Sequence, residues 1–581
     1  MIKAENLSFG FRERELFEHI HFSLEQGRHC ALIGSNGTGK TTLTELLRHP
    51  EDFTYEGRIL REGTGRIGYV SQFAAREGEQ TVTVLDYLSQ DFLTLQQQIA
   101  DVCEEMAAEN ADLDKLMERY QQLLDESESM DADNFESNIH RQLHLADLTD
   151  KTELELGKLS GGEYKLVQVV RQMLRRPGLL IMDEPDVFLD FENLTGLRDL
   201  INSYVGTLLV VTHNRYLLNH CFDKIWHLEN SGLAEYDGNF LAYDHYRLQK
   251  KVDQQLAATA DAAEIRRAEE MVERLRDDAT QVISAQKGRT LKSKVSYLNR
   301  LLARKTEVPF VETRSPEITL PTCPETTGEE PLLQVTDYSL SFEKNLLKNV
   351  SFSLAAGEKV ALVGPNGTGK TSMLRQIRRA DHPAITFSPE AKPAFFSQLH
   401  EEVFHGESTI YETFFDAGFE TREDIEAYLE DYCFDPLSLH RKVGNLSGGE
   451  KNLLQLALLA VGESNLLLLD EPSSHLDTFA QKALEDALAE WPGAVLMVSH
   501  DFYTIANCAD RVLFVEEGSV TPMSVRAFRK RIYKHHFGKD DLLLEQQKKE
   551  LETQIAHCLR DGECAKAQTL CDKLGDVIDQ M

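Results

Sequence analysis

Hydrophobic residues in this chain form short continuous runs that end at a glycine, an acidic residue or a histidine. Examples are "HCALIG" (29–34), "LLIMDE" (179–184) and "LLVVTH" (208–213). Apolar runs of four to eight residues with such boundaries are typical of buried β-strands. Other segments place apolar residues three and four positions apart, which indicates amphipathic helices. The pattern therefore predicts an α/β fold.

The same pattern occurs twice along the chain. Four segments recur in the same order, and the pairs are "GSNGTGKT" (34–41) with "GPNGTGKT" (364–371), "LGKLSGGE" (156–163) with "VGNLSGGE" (443–450), "LLIMDEP" (179–185) with "LLLLDEP" (466–472), and "VVTHNRY" (210–216) with "MVSHDFY" (497–503). Four ordered matches predict a tandem of two homologous domains. We place the first domain at 1–244 and the second at 331–528.

Three segments lie outside the repeat. The first domain has an insertion of about 39 residues, at about 91–130, whose helical pattern predicts an arm of two helices. The linker at 245–330 also has a helical pattern, and Gly288 indicates the break of a helical hairpin. The C-terminal extension at 529–581 predicts a small pair of helices that turn at Gly562.

Composition narrows the possible classes of protein. The chain has 581 residues and a formal net charge of −34. So acidic a protein is not expected to wrap nucleic acid as a whole, although a local basic face can still bind phosphate. The start of the sequence lacks a signal peptide, and no apolar run is long enough to span a bilayer. We expect a cytoplasmic protein with free thiols, without a membrane partner and without a DNA partner.

Two glycine-rich segments have the pattern G-x-x-x-x-G-K-[ST] of a phosphate-binding loop. Each follows a predicted strand and precedes a predicted helix, as this loop requires. Backbone N–H groups and the helix N-terminus bind phosphate, the lysine reaches the β- and γ-phosphates, and the next threonine binds Mg²⁺. The predicted nucleotide-binding residues are Gly34, Ser35, Asn36, Gly37, Thr38, Gly39, Lys40, Thr41 and Thr42 in the first loop, and Gly364, Pro365, Asn366, Gly367, Thr368, Gly369, Lys370, Thr371 and Ser372 in the second.

Acidic residues at the ends of two predicted strands supply the remaining charges. Asp183 and Asp470 suit Mg²⁺, which prefers carboxylate and hydroxyl oxygens. Glu184 and Glu471 follow them and can polarise an attacking water. Because both domains keep both carboxylates, we expect two sites that hydrolyse a nucleotide.

The complete set of motifs resembles ATP-binding cassette (ABC) ATPases over nearly the whole of both repeats. The segments "LSGGE" (159–163 and 446–450) match the signature segment of that family. The resemblance implies ATP and Mg²⁺ as ligands, and head-to-tail cassettes in which each phosphate loop faces the signature segment of the other cassette. The signature residues implied at the two ATP molecules are Ser160, Gly161 and Gly162, and Ser447, Gly448 and Gly449.

Further site residues follow from this resemblance by position. Two glutamines are implied beside Mg²⁺ and the attacking water, and two histidines at the γ-phosphate; they are Gln72 and Gln398, and His213 and His500. Phe11 and Phe342 precede the phosphate loops by similar distances and are expected to stack on adenine. Packing in the core is the alternative for these aromatic residues, and Phe9 is a second candidate for stacking.

One segment departs from the family pattern. The D-loop of the second cassette, "SSHLD" (473–477), is close to the usual form, whereas that of the first cassette reads "DVFLD" (186–190). Asp190 and Asp477 are present in both. We therefore expect two active but unequal ATP sites.

Tandem cassettes, an inserted arm and a charged helical linker together resemble ABC-F proteins. The resemblance implies a ribosome-bound ATPase that closes on ATP near the tRNA exit site, with its linker by the P-site tRNA and the peptidyl-transferase centre, and that leaves after hydrolysis. Regulation of translation and ribosome-protecting antibiotic resistance both remain open. An ATPase subunit of an ABC transporter with separate membrane partners is the alternative.

The linker contains an unusual basic segment. Residues 279–306 have seven basic residues and no Asp or Glu. We expect this segment to bind ribosomal or transfer RNA through phosphates, and a solvated helix face is the alternative. The arm is mostly acidic, which favours a ribosomal protein as its partner. The expected RNA-binding residues are Lys287, Arg289, Lys292, Lys294 and Arg300.

Overall fold

The computed structural model consists of two compact units. The first unit comprises residues 1–239 and 314–538, and the second comprises 240–313 and 539–581. The structure describes residues 2–11, 14–61, 66–72, 80–108, 112–187, 189–281, 285–304, 315–324, 330–341, 345–532 and 542–581, with side chains at these positions except 14, 277–281, 285–288, 345 and 542.

Strands and helices alternate in both repeats, and the elements described in the linker and the extension are helices. The strands of the first cassette are β1 (Ile2–Phe11), β2 (Arg14–Leu24), β3 (His29–Ile33), β4 (Glu56–Arg61), β5 (Ile67–Val70), β6 (Leu179–Asp183), β7 (Thr207–Val211), β8 (Lys224–Glu229) and β9 (Gly232–Asp237). Its helices are α1 (Lys40–Arg48), α2 (Val84–Met106), α3 (Leu113–Ser129), α4 (Phe135–Leu145), α5 (Gly161–Leu174), α6 (Phe191–Ser203) and α7 (Arg215–His220). The linker contains α8 (Phe240–Gln281) and α9 (Ala285–Ala303).

The second cassette repeats this arrangement. Its strands are β10 (Leu333–Ser341), β11 (Asn345–Leu354), β12 (Lys359–Val363), β13 (Ile385–Phe387), β14 (Pro393–Phe396), β15 (Leu466–Asp470), β16 (Ala494–Val498), β17 (Arg511–Glu516) and β18 (Ser519–Ser524). Its helices are α10 (Lys370–Arg379), α11 (Ile410–Asp416), α12 (Arg422–Glu430), α13 (Gly448–Ala460), α14 (Thr478–Glu490), α15 (Phe502–Cys508) and α16 (Val525–Ile532). The extension contains α17 (Leu542–Arg560) and α18 (Cys564–Ile578).

The two cassettes have the same sheet topology. Their central sheets have the orders β5-β6-β7-β3-β8-β9 and β14-β15-β16-β12-β17-β18, and a smaller sheet accompanies each, in the orders β2-β1-β4 and β11-β10-β13. The central strands are parallel except for the antiparallel last pair. Carboxyl ends of parallel strands meet at one edge of a sheet, so the segments that follow β3, β6 and β7 come together there.

Burial on both faces explains the continuous apolar runs of the central strands. β6, β7, β15 and β16 are buried at every position. In the first cassette Leu32, Ile181 and Leu209 share one core with Leu43 and Leu47 of α1. A parallel sheet covered by helices excludes water from both faces, and its strands are therefore apolar throughout. The α/β fold with two tandem cassettes is confirmed.

The inserted arm consists of α2 and α3. The Thr83 side chain accepts a hydrogen bond from the N–H of Asp86 at 3.1 Å and so caps the start of α2. Leu113 and Met117 of α3 have 56% and 61% of their surface exposed. Among the described residues, no helix combines the length and the apolar character that crossing a membrane requires.

In the second unit, the extension packs on the linker. Val252 of α8, Ile555 of α17, and Ala567 and Leu574 of α18 belong to one buried cluster. His245 Nε2 donates to the carbonyl oxygen of Cys571 at 2.9 Å in the same region. The sequence predicted a helical pair in each segment, but its apolar pattern did not indicate that α8 of the linker shares a core with the extension.

One detail of the linker prediction is wrong. Gly288, the predicted helix break, lies within α9, and α8 ends earlier, at Gln281. A single glycine costs a helix only about 1 kcal/mol, which neighbouring turns can offset.

Candidate functional site

The two phosphate loops have the geometry that their glycines predict. Gly34 has a φ of 153°, and a Cβ there would lie 2.1 Å from the carbonyl oxygen of Leu228. Gly364 has a φ of 159°, and a Cβ there would lie 2.5 Å from the carbonyl oxygen of Val515. Only glycine fits at the start of each loop, because any side chain would collide with the neighbouring strand.

The lysines of the loops are buried and point back onto the loops. Lys40 Nζ donates to the carbonyl oxygens of Gly34 and Ser35, both at 2.9 Å. Lys370 Nζ contacts the matching carbonyl oxygens of the second loop at 2.8 and 2.7 Å. Burial lowers the pKa of both ammonium groups. A phosphate next to each lysine would restore the charge balance that burial removes.

Each phosphate loop contacts the D-loop of the other cassette. The N–H of Asn36 donates to Asp477 Oδ2 at 3.1 Å, and the N–H of Asn366 donates to Asp190 Oδ2 at 3.0 Å. The Oδ1 atoms of the two aspartates cap α14 and α6. A Cβ at Gly449 would lie 1.8 Å from Asn36 Nδ2, so the second signature segment adjoins the first loop. The cassettes are therefore arranged head to tail.

A cavity of about 650 Å³ lies between the cassettes. Many of the residues predicted from the sequence line this cavity. They are Ser160, Gly161, Gly162, Glu184 and His213 from the first cassette, and Asn366, Gly367, Gly369, Lys370, Thr371, Ser372, Gln398, Glu471 and His500 from the second. The volume is in the range of ligand sites. The second phosphate loop and the first signature segment therefore share one cavity.

Each signature segment begins a helix. Ser160 and Ser447 are N-caps, and their hydroxyl oxygens accept the N–H groups of Glu163 and Glu450 at 3.2 and 3.3 Å. The glutamates reach back to the N–H of the capping serines. This capping box leaves each serine O–H free to donate to an anion. The N–H groups of the following glycines add partial positive charge.

The carboxylates that end β6 and β15 suit a divalent cation. Thr371 Oγ1 donates to Asp470 Oδ1 at 2.9 Å, and Asp470 Oδ2 is buried without a hydrogen-bond partner among the described residues. Burial raises the pKa of Asp470, and burial together with Glu184 raises that of Asp183 to about 6. Oxygen donors with an unused buried atom fit Mg²⁺.

The two candidate water-activating glutamates have different partners. Gln72 Nε2 donates to Glu184 Oε2 at 2.6 Å, and His475 Nδ1 lies 3.7 Å from the same oxygen. In the second cassette the N–H of His500 donates to Glu471 Oε2 at 3.2 Å, and His500 Nε2 lies 3.6 Å from Glu471 Oε1. Both glutamates have a positive φ, 44° and 52°, which non-glycine residues adopt mainly under local constraint.

The partners move the two glutamate pKa values in opposite directions. Burial alone raises the pKa of Glu184, but the contact with His475 and the charge of Lys40 lower it below its usual value. Burial and the neighbouring Asp470 raise the pKa of Glu471 well above its usual range. The two glutamates thus differ in their charged surroundings, and the inequality of the two ATP sites stays a prediction.

The two histidines that follow β7 and β16, His213 and His500, are largely buried and neutral. Burial lowers the pKa of His213 to about 3 and that of His500 below its ordinary value. Neither ring nitrogen of His213 has a hydrogen-bond partner among the described residues. A neutral imidazole has one N–H donor, which suits a phosphate oxygen close to the loop.

The remaining predicted residues stay predictions. Phe11 has 60% of its surface exposed and makes an edge contact with Phe9, with ring centroids 5.3 Å apart. Phe342 and the side chain of Lys287 lie outside the described residues. The other predicted RNA-binding residues lie on α9, where Arg289, Lys292 and Arg300 are exposed and Lys294 is half-buried.

Sequence reasoning missed His475 as a site residue. The signal was present, because His475 stands where the first D-loop has Phe188. That difference indicated an unusual first D-loop, but the partner of His475 lies in the other cassette and could not be read from one repeat. Asp190 and Asp477 were noted in the sequence, but their contact with the opposite phosphate loop required the structure.

Comparisons with known proteins match both cassettes and the linker. A family model described as ABC transporter matches residues 17–187 and 347–474, and a second model with the same description matches 226–319. The energy-dependent translational throttle protein EttA of Escherichia coli K12 is 29% identical over 87% of this chain and 91% of its own length. The uncharacterized ABC transporter ATP-binding protein YfmM of Bacillus subtilis is 27% identical over 87% of this chain and 96% of its own length.

A solved structure has a similar fold. The archaeal ribosome recycling factor aABCE1, in complex with the ribosomal stalk protein aP1, aligns with a TM-score of 0.51 at 17% identity. The alignment covers 91% of this chain and 92% of that chain. At this identity the likeness concerns the fold.

Proposed function

This chain belongs to the ABC transporter family, as a tandem-cassette ATP hydrolase of the ABC-F type, and we propose that it works on the ribosome. In this proposal the ATP-bound cassettes close and bind near the tRNA exit site, and hydrolysis releases the protein. The linker then lies by the P-site tRNA and the peptidyl-transferase centre. The breadth of the match to EttA, whose name describes throttling of translation, supports this choice.

The observation that carries the ribosomal proposal is the basic face of the linker. Arg289, Lys292 and Arg300 are exposed on α9, and residues 279–306 contain no acidic residue. In a chain of net charge −34, this helix concentrates attraction for phosphate at one place. Contacts of this kind bind an RNA backbone without reading its sequence. A ribosome presents such a backbone, whereas a membrane subunit of a transporter does not.

The catalytic chemistry follows from the residues around the two phosphate loops. Lys40 and Lys370 hold the β- and γ-phosphates, while the opposite signature segment offers serine O–H and backbone N–H groups. Glu184 and Glu471 accept hydrogen bonds from the attacking water and so orient and polarise it. Thr41 and Asp183, or Thr371 and Asp470, would hold Mg²⁺, which would neutralise phosphate charge. In this proposal Gln72 and Gln398 orient water beside the ion.

ATP also explains closure of the cassettes. One ATP molecule contacts the phosphate loop of one cassette and the signature segment of the other, so it bridges both. The D-loop contacts of Asn36 with Asp477 and of Asn366 with Asp190 depend on the same approach. Loss of the γ-phosphate removes the bridging anion, and the closed state loses stability.

The decisive experiment traps the closed state. We expect the double variant Glu184→Gln, Glu471→Gln to bind ATP without hydrolysing it and to co-sediment with ribosomes in ATP but not in ADP. The matched control is Glu51→Gln, Glu401→Gln, at two glutamates outside the site. Fractionation of the trapped protein with membranes, without ribosome association, would favour the transporter alternative instead.

The same assay extends to the arm. The arm is acidic, so we propose that it contacts a basic ribosomal protein. Deletion of 94–128 from the trapped variant should weaken co-sedimentation, and unchanged binding would contradict this contact. Minimum inhibitory concentrations with and without the gene then separate antibiotic resistance from regulation of translation.

A further inference from the structure

The carboxylate of Glu184 is contacted from both cassettes. Gln72 of its own cassette donates to Oε2 at 2.6 Å, and His475 of the second cassette has its Nδ1 3.7 Å from that oxygen. The side chains of His475 and Glu184 are only 12% and 17% exposed. Catalytic contacts are often long before substrate binds and tighten in the reactive complex. His475 is therefore within reach of a hydrogen bond to Glu184.

Contacts between the cassettes hold His475 in this position. Its carbonyl oxygen accepts a hydrogen bond from Asn36 Nδ2 of the first phosphate loop at 3.0 Å. Its ring packs against the second signature segment, where a Cβ at Gly448 would lie 3.0 Å from His475 Cγ. The next contact along the D-loop is that of Asp477 with the N–H of Asn36. The imidazole therefore reaches Glu184 only when the first loop and the second D-loop are together.

The second site is built differently. Glu471 is contacted by His500 of its own cassette, through the N–H at 3.2 Å and through Nε2 at 3.6 Å. The position that matches His475 in the first D-loop is Phe188, which has no polar atom in its side chain. Phe188 therefore cannot donate a hydrogen bond to Glu471 as His475 can to Glu184.

We propose that His475 is a positioning residue for Glu184 and acts across the interface on the first ATP site alone. It orients the carboxylate toward the attacking water. Hydrolysis at the first site thus requires the second D-loop in place. The first D-loop has no histidine at the matching position, so hydrolysis at the second site does not depend on such a contact. The coupling that this histidine supplies therefore runs in one direction.

This inference rests on the ATPase activity and not on the ribosomal partner, so the test uses purified full-length protein without ribosomes. Two parent variants isolate the sites. Glu471→Gln leaves only the first site able to hydrolyse ATP, and Glu184→Gln leaves only the second. We expect His475→Phe to lower kcat about 10- to 100-fold in the first parent, with KM for ATP changed less than about twofold. The loss should exceed that in the second parent by about tenfold or more.

Two conservative variants separate positioning from packing. The amide nitrogen of asparagine occupies nearly the place of histidine Nδ1, whereas that of glutamine reaches the place of Nε2. Since Nδ1 faces Glu184, we expect His475→Asn to restore most of kcat in the Glu471→Gln parent and His475→Gln to restore little. Unfolding curves of all variants measure any loss of folded protein.

Three results would overturn the inference. They are equal losses in both parents, equal behaviour of the asparagine and glutamine variants, and a Glu471→Gln parent without turnover. Failure of ribosome binding in the trapped double variant, with the first-site effect intact, would refute only the proposed function.

Discussion

At the scale of single residues, the cassettes are joined by side chains that the two copies do not share. Arg215 of the first cassette pairs with Glu485, lies 3.1 Å from Asp501 Oδ2 and has its guanidinium 4.7 Å from the ring centre of Tyr503. The matching residue of the second copy is Phe502, so the reverse ion pair cannot form. Arg215 lies two residues after His213, and Asp501 is the residue after His500. The contact therefore links the first cassette to two carboxylates of the second, next to both histidines.

Removal of Arg215 should destabilise the closed pair of cassettes. Arg215→Met removes the cation that faces the carboxylates of Glu485 and Asp501, and Glu485 is only 5% exposed. Breaking a buried pair from one side typically costs about 3–5 kcal/mol. We expect a loss of this size in the free energy of unfolding, measured by urea denaturation.

The control for this loss is Arg198→Met. Arg198 pairs with Asp199 and with the hydroxyl of Tyr216, all within the first cassette, and Asp199 is 37% exposed. Such a pair contributes about 1 kcal/mol or less. Similar losses for the two variants would contradict a special role of the contact between cassettes.

At the scale of elements, a cluster of charges joins the arm to the cassette that carries it. Asp91 of α2 accepts hydrogen bonds from Arg171 at 2.9 and 3.1 Å and from Arg175 at 2.8 and 2.7 Å, both near the end of α5. Burial alone raises the pKa of Asp91, but the two guanidinium groups lower it to about 2. The first signature segment begins α5, so one helix connects the ATP site with the base of the arm.

Replacement of Asp91 should loosen this connection. We expect Asp91→Asn to lower the free energy of unfolding by about 2 kcal/mol at neutral pH, since one pKa unit corresponds to about 1.4 kcal/mol. The folded pKa lies below the unfolded value of 3.8, so the contribution is complete above pH 4 and disappears as pH falls toward 2. Urea denaturation at several pH values measures it.

The control is Asp101→Asn, at an exposed carboxylate on the same helix. Asp101 accepts a hydrogen bond only from Gln97 at 2.8 Å among the contacts described for it. A surface change of this kind alters stability by about 0.5 kcal/mol or less. Equal losses for the two variants, or a loss for Asp91→Asn that persists at pH 2, would contradict the anchoring role.

The elements of the cassettes were predictable because each has a local cause. Apolar runs predicted the buried strands, and Gly34 and Gly364 predicted loops that no side chain fits. Contacts between elements were harder to predict from the sequence, because the partners of His475 and Arg215 lie in the other cassette. Comparison of two copies finds what both retain, whereas the interface depends on residues that differ between them.

At the scale of the whole molecule, the ATP sites and the basic surface expected to bind RNA belong to different units. The ATP sites lie within the first unit, and the basic helix α9 lies in the second, where the extension packs on α8. Most of the chain is acidic and repels phosphate at long range. Attraction for RNA is therefore expected only where α9 is exposed. Substitutions on α9 should change RNA binding without changing the ATP sites.

Charge reversal on α9 tests this separation. We expect Arg289→Glu, Lys292→Glu, Arg300→Glu to weaken ribosome binding of the trapped double variant and to leave ATP binding intact, because none of the three lies at a phosphate loop. Each lost phosphate contact should reduce the magnitude of the negative slope of log affinity against log salt by about 0.7–0.9. The control, Arg526→Glu, Lys530→Glu, Lys573→Glu, changes the net charge equally at exposed residues outside the linker. Equal weakening by both variants would assign the effect to net charge, and the proposed RNA contact of α9 would then be wrong.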